Sequence, residues 1–180
     1  IALIGGFTPR RCGIATFTAD IHNSIRAAYP ETEIDVYAMA PVKNDIEFAE
    51  PVRGVIIEND TDSFIAAARQ IEASHADLIW LKHEFGLFGG NAGDQILELL
   101  DRVAAPLFVT LHTVMPDPDE EQRRVISRIM ARASKLIVMS ERAAHLLRDI
   151  FGADPEQIEI IPHGVPDRPF GRSDKFKAEH

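Results

Sequence analysis

The sequence has only one cysteine, Cys12, so no disulfide can form within its 180 residues. A chain without disulfides suits a reducing compartment, and we expect it in the cytoplasm. Basic residues are also scarce, because 19 Lys and Arg stand against 28 Asp and Glu, for a formal net charge of -9. Such a balance gives no general attraction to nucleic acid or to an anionic membrane. We therefore expect no nucleic-acid partner, and any phosphate ligand must be held locally.

Long apolar runs are missing as well. No run approaches the roughly 20 residues that span a bilayer, and no charged start with a small-residue cleavage site marks a signal peptide. We expect no transmembrane segment. The chain opens at Ile1 inside a strand pattern, without an initiator methionine, and residues 176–180 bring no closing element. These features favour a fragment of a longer protein.

The residues that are present alternate between strand and helix patterns. With 46% hydrophobic residues, a chain of this length can bury one core. Alternation of this kind predicts β-α-β units and an α/β, Rossmann-like, doubly wound parallel sheet. The predicted strands are residues 1–5, 34–39, 52–57, 78–81, 107–111, 136–139 and 158–161. The predicted helices are residues 14–28, 64–74 after an Asp62-Ser63 cap, 94–103, 120–133 and 141–151 after a Ser140 cap.

A glycine loop follows the first predicted strand and leads into the first helix. Gly5, Gly6 and Gly13 lack a Cβ, so the backbone can turn tightly and approach a ligand closely. The N-terminus of the next helix adds a partial positive charge, which favours a phosphate or pyrophosphate. The spacing is neither a Walker loop nor a strict Gly-x-Gly-x-x-Gly fingerprint. A plain tight turn therefore remains an alternative.

Polar residues also follow four later strands. Ligands of open α/β sheets bind beyond the carboxyl ends of the strands, so these positions are the candidate site. A lone histidine is more often an ordinary core or loop residue, but the convergence of several strand ends favours function. The candidates are His83 and Glu84, followed by Gly89 and Gly90; His112 and Thr113; Ser140 and Glu141; and His163 and Gly164.

Two of these groups point to specific chemistry. His112 lies directly after a buried strand and can offer a neutral imidazole or a backbone carbonyl to a polar ligand. His83 and Glu84 form either an acid–base pair or a clamp for substrate hydroxyls. A metal triad of His83, His112 and His163 would need three separate loops and lacks the i, i+4 spacing of a helix-borne zinc site. We expect no metal and no other cofactor.

Five segments together resemble glycosyltransferase family 4. They are Gly-Gly-Phe-Thr-Pro-Arg-Arg-Cys-Gly-Ile-Ala from Gly5, Lys-His-Glu-Phe-Gly-Leu-Phe-Gly-Gly from Lys82, Thr-Leu-His-Thr from Thr110, Val-Met-Ser-Glu from Val138 and Ile-Pro-His-Gly-Val from Ile161. No single segment is diagnostic, but their order and spacing cover nearly the whole chain. The resemblance implies the GT-B architecture, in which two Rossmann-like domains face each other across a cleft. Residues 1–166 would form the N-terminal, acceptor-side domain and residues 167–180 the start of a connector, with the C-terminal, donor-binding domain absent.

The same resemblance implies an activity. Family members transfer a sugar, here a hexosyl group, from a nucleotide diphosphate to an acceptor hydroxyl, with retention of configuration and without a metal. The partners would be a nucleotide-sugar donor, a carbohydrate or other hydroxyl acceptor, and the chain's own C-terminal domain; the fragment alone would be inactive. Site roles carried over are as follows: Gly5, Gly6, Arg10, Arg11 and Gly13 approach the donor diphosphate; His112 contacts the transferred sugar; His83, Glu84, Gly89 and Gly90 lie by the acceptor; and Thr113, Ser140, Glu141, His163 and Gly164 line the cleft.

Two other functions compete with this one. A non-catalytic module could use the same strand ends to hold a nucleotide or a sugar phosphate. A nicotinamide-dependent oxidoreductase would need an acidic residue at the end of the second strand to bind ribose, and Asp35 is predicted near the middle of that strand. The glycine spacing also differs from that class. A longer reading frame with the donor-binding motifs would separate the transferase from the binding module.

Overall fold

A seven-stranded parallel sheet forms the centre of the fold. The computed structural model describes residues 1–43 and 46–165. The strands are β1 (Ala2–Gly5), β2 (Asp35–Ala40), β3 (Val52–Ile57), β4 (Ile79–His83), β5 (Leu107–Leu111), β6 (Lys135–Val138) and β7 (Ile158–Ile160). The helices are α1 (Gly13–Ala28), α2 (Thr61–Ser74), α3 (Ile96–Leu100), α4 (Glu120–Arg132) and α5 (Glu141–Phe151), with short 3-10 turns at Phe85–Leu87 and Pro155–Gln157.

The strand order places the functional edge. The strands run β3-β2-β1-β4-β5-β6-β7, and every neighbouring pair is parallel. The chain therefore winds in one direction from β1 to β3 and in the other from β4 to β7. The reversal lies between β1 and β4, and a crevice opens at such a point beyond the carboxyl ends of the strands. The predicted Rossmann-like doubly wound sheet is confirmed.

The two faces of the sheet carry different cores. On one face α2 packs on α3, α3 on α4 and α4 on α5, over the fully buried residues Ile4, Leu81 and Val109. On the other face Leu3 and Val36 pack with Ala19 of α1. Successive residues of a strand point to opposite faces, so the apolar runs of β1 and β5 serve both cores. Burial on both faces holds the strand ends in fixed positions.

Two helices differ from their predicted bounds by more than one residue. α2 begins at Thr61 with Asp60 as its N-cap, before the predicted Asp62-Ser63 cap. Ser63 instead accepts a hydrogen bond of 2.9 Å at Oγ from the Ile57 N–H, which joins the end of β3 to the helix. α3 is shorter than residues 94–103, because residues 91–95 form turns before the helix starts at Ile96. Apolar periodicity predicts the presence of a helix better than its ends.

Asp35 lies at the opposite end of the sheet from the ligand edge. It is the first residue of β2, where it pairs in register with Ala2, and does not lie near the middle of the strand as expected. An acidic residue there cannot reach a ribose bound at the carboxyl edge. The predicted connector, residues 167–180, falls outside the described residues. Within the part of the chain that is described, no helix is long and apolar enough to cross a membrane.

Candidate active site

The three glycines of the first loop have different surroundings. A Cβ on Gly5 would lie 2.8 Å from the Cβ of Lys82, closer than real Cβ contacts, so this glycine lets β1 and β4 approach each other. A Cβ on Gly6 would meet Ala15 at an ordinary 3.5 Å. Apart from its chain neighbours and its own helix, no described residue comes within 4 Å of the Cβ position of Gly13. Of these three, Gly13 has the open space in which a ligand could approach the backbone.

Gly13 is also the first residue of α1, whose N-terminus is available to an anion. Cys12 is the N-cap, and its Sγ accepts a 3.3 Å hydrogen bond from the Ala15 N–H. The N–H groups of Gly13 and Ile14 have no acceptor among the described residues, and the first turn contains no acidic side chain. Free N–H groups and the helix dipole together favour a bound phosphate or carboxylate.

The two loop arginines have different roles. Arg10 donates to Oε1 of Glu58 from both terminal nitrogens at 3.0 Å, and to the Met39 carbonyl at 3.2 Å. Its half-buried guanidinium therefore ties the loop to the ends of β2 and β3. Arg11 is exposed and forms no ion pair with any residue that the structure describes. Arg11 is thus the loop cation that is free to meet a ligand.

His112 lies at the end of β5 beside the N-terminus of α1. Its backbone N–H donates to the His83 carbonyl at 3.1 Å, and the edge of its ring packs on Phe17 with centroids 5.1 Å apart. Ring atom Nε2 is buried and has no hydrogen-bond partner. Burial, followed by the positive charges of Lys82 and His163, lowers the pKa of His112 to about 4. The imidazole is therefore neutral at pH 7.

A cleft of about 550 Å³ joins these elements. Phe17 lines this cleft, and His163 packs on the same ring as His112, with the Phe17 and His163 centroids 4.6 Å apart. His163 itself is exposed, and its Nδ1 lies 2.6 Å from the Gly164 carbonyl oxygen. The lining residues are Gly13, Ile14, Thr16, Phe17, Asp20, His112, His163, Gly164 and Val165. The structure thus brings together Gly13, His112, His163 and Gly164 from the predicted set.

His83 does not reach this cleft. Its side chain is 0% exposed, stacks on Phe88 and meets the edge of Phe85. Neither ring nitrogen has a hydrogen-bond partner. Burial, with a smaller contribution from His112, lowers the pKa of His83 to about 3. A neutral ring in the main core offers no surface to an acceptor in this structure.

Glu84 is held in place by two donors. Its Oε1 accepts a 3.0 Å hydrogen bond from the Phe85 N–H, and its Oε2 accepts one of 2.6 Å from the Thr113 hydroxyl. The half-buried carboxylate therefore joins the residues after β4 to those after β5. Carboxylate oxygens can accept further hydrogen bonds, so acceptor hydroxyls remain compatible ligands.

The glycine segment after Glu84 is docked rather than loose. Gly89 and Gly90 have φ values of 73° and 65°, which favour glycine. The Gly90 N–H donates to Oδ1 of Asn59 at 2.9 Å, and a Cβ on Gly89 would lie 2.7 Å from the same oxygen. Both glycines therefore fit the segment against the residues after β3.

Ser140 and Glu141 lie outside the cleft. The Ser140 hydroxyl oxygen accepts a 3.2 Å hydrogen bond from the Ala143 N–H, as the predicted N-cap of α5. Glu141 is exposed in the first turn of that helix. In residues 1–43 and 46–165, no group of three or more His, Cys, Asp or Glu is placed to hold a metal ion.

Sequence reasoning missed Phe17 and Lys82. Phe17 lies within the first predicted helix and is not among the candidate site residues, yet it lines the cleft. The predicted strand ends at residue 81, but β4 includes Lys82, which is fully buried. A lysine that continues the apolar run of a central strand was the signal that could have identified it.

Comparisons with known proteins identify the family and the fold. Residues 32–168 match the sequence model of Glycosyltransferase Family 4. A D-inositol 3-phosphate glycosyltransferase of Acidothermus cellulolyticus is 32% identical over 88 residues, which cover 43% of this chain and 20% of that protein. The chain thus spans about a fifth of the length of this curated relative.

A solved structure shares the fold. A sucrose-phosphate synthase structure from Thermosynechococcus elongatus superposes with a TM-score of 0.59 at 18% identity, over 92% of this chain and 89% of that one. Identity at that level supports the fold alone. Since the family match extends over most of the sequence, the chain belongs to glycosyltransferase family 4, with the Rossmann-like fold of the N-terminal half of a GT-B enzyme.

Proposed function

We propose that the protein to which this chain belongs is a retaining glycosyltransferase that transfers a hexosyl group from a nucleotide diphosphate sugar to an acceptor hydroxyl. The observation that carries the proposal is the placement of a neutral, half-buried His112 beside the open N-terminus of α1, in one cleft. Family membership supplies the reaction class. This chain contributes the acceptor side, and a C-terminal domain contributes most of the donor site.

The N-terminus of α1 stabilises the leaving group. As the bond between the anomeric carbon and the diphosphate breaks, negative charge grows on the phosphate oxygens. The N–H groups of Gly13 and Ile14 and the exposed guanidinium of Arg11 can stabilise that negative charge. The acceptor hydroxyl bonds to the anomeric carbon on the face that the diphosphate leaves, and its proton passes to a leaving phosphate oxygen.

His112 acts on the sugar. Positive charge develops on the ring carbon and oxygen of the hexose as the donor bond loosens. A neutral imidazole and a backbone carbonyl can both stabilise this charge, whereas an imidazolium would oppose it. The low pKa of His112 is therefore suited to the role. Glu84, fixed by Thr113, is placed to orient acceptor hydroxyls, and the proposed reaction needs no metal.

The test uses the full-length protein with a panel of UDP-, GDP- and ADP-sugars and this chain beside it. We expect transfer by the full-length protein and none by this chain on its own, because the donor site is split between domains. The single cysteine also favours a cytoplasmic location for the protein. His112→Ala should lower kcat by at least ~100-fold, the loss typical for a group that stabilises developing charge. His145→Ala, at an exposed position of α5, is the matched control.

Two results would contradict the proposal. Normal turnover by His112→Ala would remove that residue from the mechanism. No turnover with any donor, together with tight binding of a nucleotide or sugar phosphate by the chain, would favour the non-catalytic binding module.

A further inference from the structure

Lys82 is a fully buried lysine that has no acidic partner in the described part of the chain. It lies near the end of β4, 0% exposed, and its Nζ donates a 3.2 Å hydrogen bond to Oγ1 of Thr110. The same amine lies 3.6 Å from the ring centroid of Trp80 and 5.5 Å from that of Phe17. No carboxylate of residues 1–43 or 46–165 forms an ion pair with it.

A purely structural role does not explain this residue. Burying an ammonium group without a counter-charge costs several kcal/mol, which one hydroxyl and two aromatic faces offset only in part. A methionine of similar length would fill the space without that cost. Burial lowers the pKa of Lys82 to about 7, so the amine is charged in a large fraction of molecules near neutral pH.

The lysine is connected to His112 through two residues, Phe17 and Thr110. Phe17 lies between them, since its ring is 5.5 Å from the Lys82 amine and 5.1 Å from the centroid of the His112 ring. Thr110, which holds the amine, precedes His112 by two residues on β5. The stem of Lys82 also packs against Gly5, the first residue of the glycine loop pattern.

Four other ionisable side chains belong to the elements near His112, and each has its own position or contact. His163 follows β7 and contacts Phe17, while the neutral ring of His83 lies in the opposite core. Glu84 is bound to Thr113, and Asp20 of α1 also lines the cleft. Lys82 is the buried cation of this set, and after burial its charge makes the largest contribution to lowering the pKa of His112.

We propose that Lys82 is a positioning residue for His112: its amine bonds Thr110 and contacts Phe17, which packs against the imidazole, and its positive charge opposes protonation of that imidazole. For catalysis the inference rests on the proposed function, because a neutral His112 matters only where positive charge develops on a sugar. The arrangement itself does not depend on the reaction.

The test measures the protonation of His112 by NMR. It uses full-length protein in which the C2 carbon of every histidine ring is labelled with 13C. The signal that disappears in His112→Gln identifies the residue. Lys82→Met should raise the titration midpoint of His112 by about half a pH unit or more, a threefold gain in proton affinity, because a nearby positive charge is gone. Lys82→Arg, which keeps the charge, should hold the midpoint low. Lys135→Met, which removes a cation from a surface ion pair, is the control.

Activity supplies the second readout. The acid limb of kcat/KM should move to higher pH in Lys82→Met by the same amount as the NMR midpoint. If that variant does not fold, Lys82→Gln provides a neutral side chain that can still bond Thr110. A midpoint for His112 that is the same in a folded neutral variant as in the unmodified protein would overturn the proposal. Because this midpoint is measured without substrate, its result is separate from any failure of the transferase proposal.

Discussion

The Thr113 hydroxyl donates a 2.6 Å hydrogen bond to Oε2 of Glu84, and this bond joins the residues after β5 to those after β4. The other carboxylate oxygen accepts the Phe85 N–H at 3.0 Å. Glu84 thus has one fixed orientation before any ligand arrives. Preorganised acceptors of this kind avoid the cost of ordering a side chain during binding.

Removing the Thr113 hydroxyl should lower the catalytic efficiency of the enzyme toward its acceptor. Thr113→Val keeps the shape of the side chain but frees Oε2 of Glu84, and hydrogen bonds to charged groups contribute roughly 1.5–3 kcal/mol. We expect kcat/KM for the acceptor to fall by about tenfold or more in steady-state assays of the full-length protein. Thr61→Val, at an exposed position in the first turn of α2, should leave it unchanged. An unaltered value for Thr113→Val would show that the bond does not orient Glu84 for catalysis.

Substitution of the two loop arginines should affect different properties of the protein. Arg10→Gln breaks a half-buried pair with Glu58 and a bond to the Met39 carbonyl, so it should lower the free energy of unfolding by about 1–2 kcal/mol. Arg11→Gln should leave stability within about 0.5 kcal/mol, since the residue is exposed, and should raise the KM for donor. Chemical denaturation and donor kinetics on both variants measure the difference.

A double-mutant cycle sharpens the first half of that prediction. Adding Glu58→Gln to Arg10→Gln should cost less than the sum of the two single changes, with a coupling of about 1 kcal/mol. Strict additivity would mean that the ion pair contributes nothing. A loss of stability in Arg11→Gln equal to that in Arg10→Gln would remove the contrast between them.

The sheet could be predicted from sequence because its signal is local. Apolar runs such as Leu107–Leu111 alternate with segments in which apolar residues recur at helical spacing, and this alternation predicts a parallel sheet. The polar residues after these runs are then expected to meet at one edge of the sheet. The cleft position of His112 followed from this rule. The contacts of Arg10 could not be predicted, because Glu58 lies 48 residues further along the chain.

Burial was equally hard to foresee where polar residues were involved. His83 and Lys82 read as loop residues after an apolar run, but β4 continues through both. Adjacent strand residues point to opposite faces, so one enters the main core and the other the α1 side. Long-range packing decides which polar residues a strand buries, and one sequence does not show it.

Two glycines of the loop provide a matched pair. Gly5→Ala places a Cβ 2.8 Å from the Cβ of Lys82, so β1 and β4 must separate, and we expect a loss of about 1–3 kcal/mol in the free energy of unfolding. Gly13→Ala adds the same methyl group where nothing lies within 4 Å, so stability should be kept or slightly raised. Thermal or urea unfolding of the two variants distinguishes them. Equal losses would mean that the close approach at Gly5 is relieved by small movements.

His83 should make the fold sensitive to acid. Its pKa is about 3 in the folded chain against 6.5 when exposed, so between pH 6.5 and 3 the unfolded chain binds a proton that the folded chain does not. Stability must therefore fall as the pH falls through this window, by about 2 kcal/mol at pH 5 for such a shift. His83→Phe keeps an aromatic ring against Phe88 and removes the two unpaired nitrogens. The variant should gain stability over the unmodified protein progressively from pH 7 to pH 4 in urea unfolding, whereas the exposed His145→Phe should follow the unmodified curve. Parallel curves for His83→Phe and the unmodified protein would show that His83 takes up its proton in the folded state, through water reaching the core.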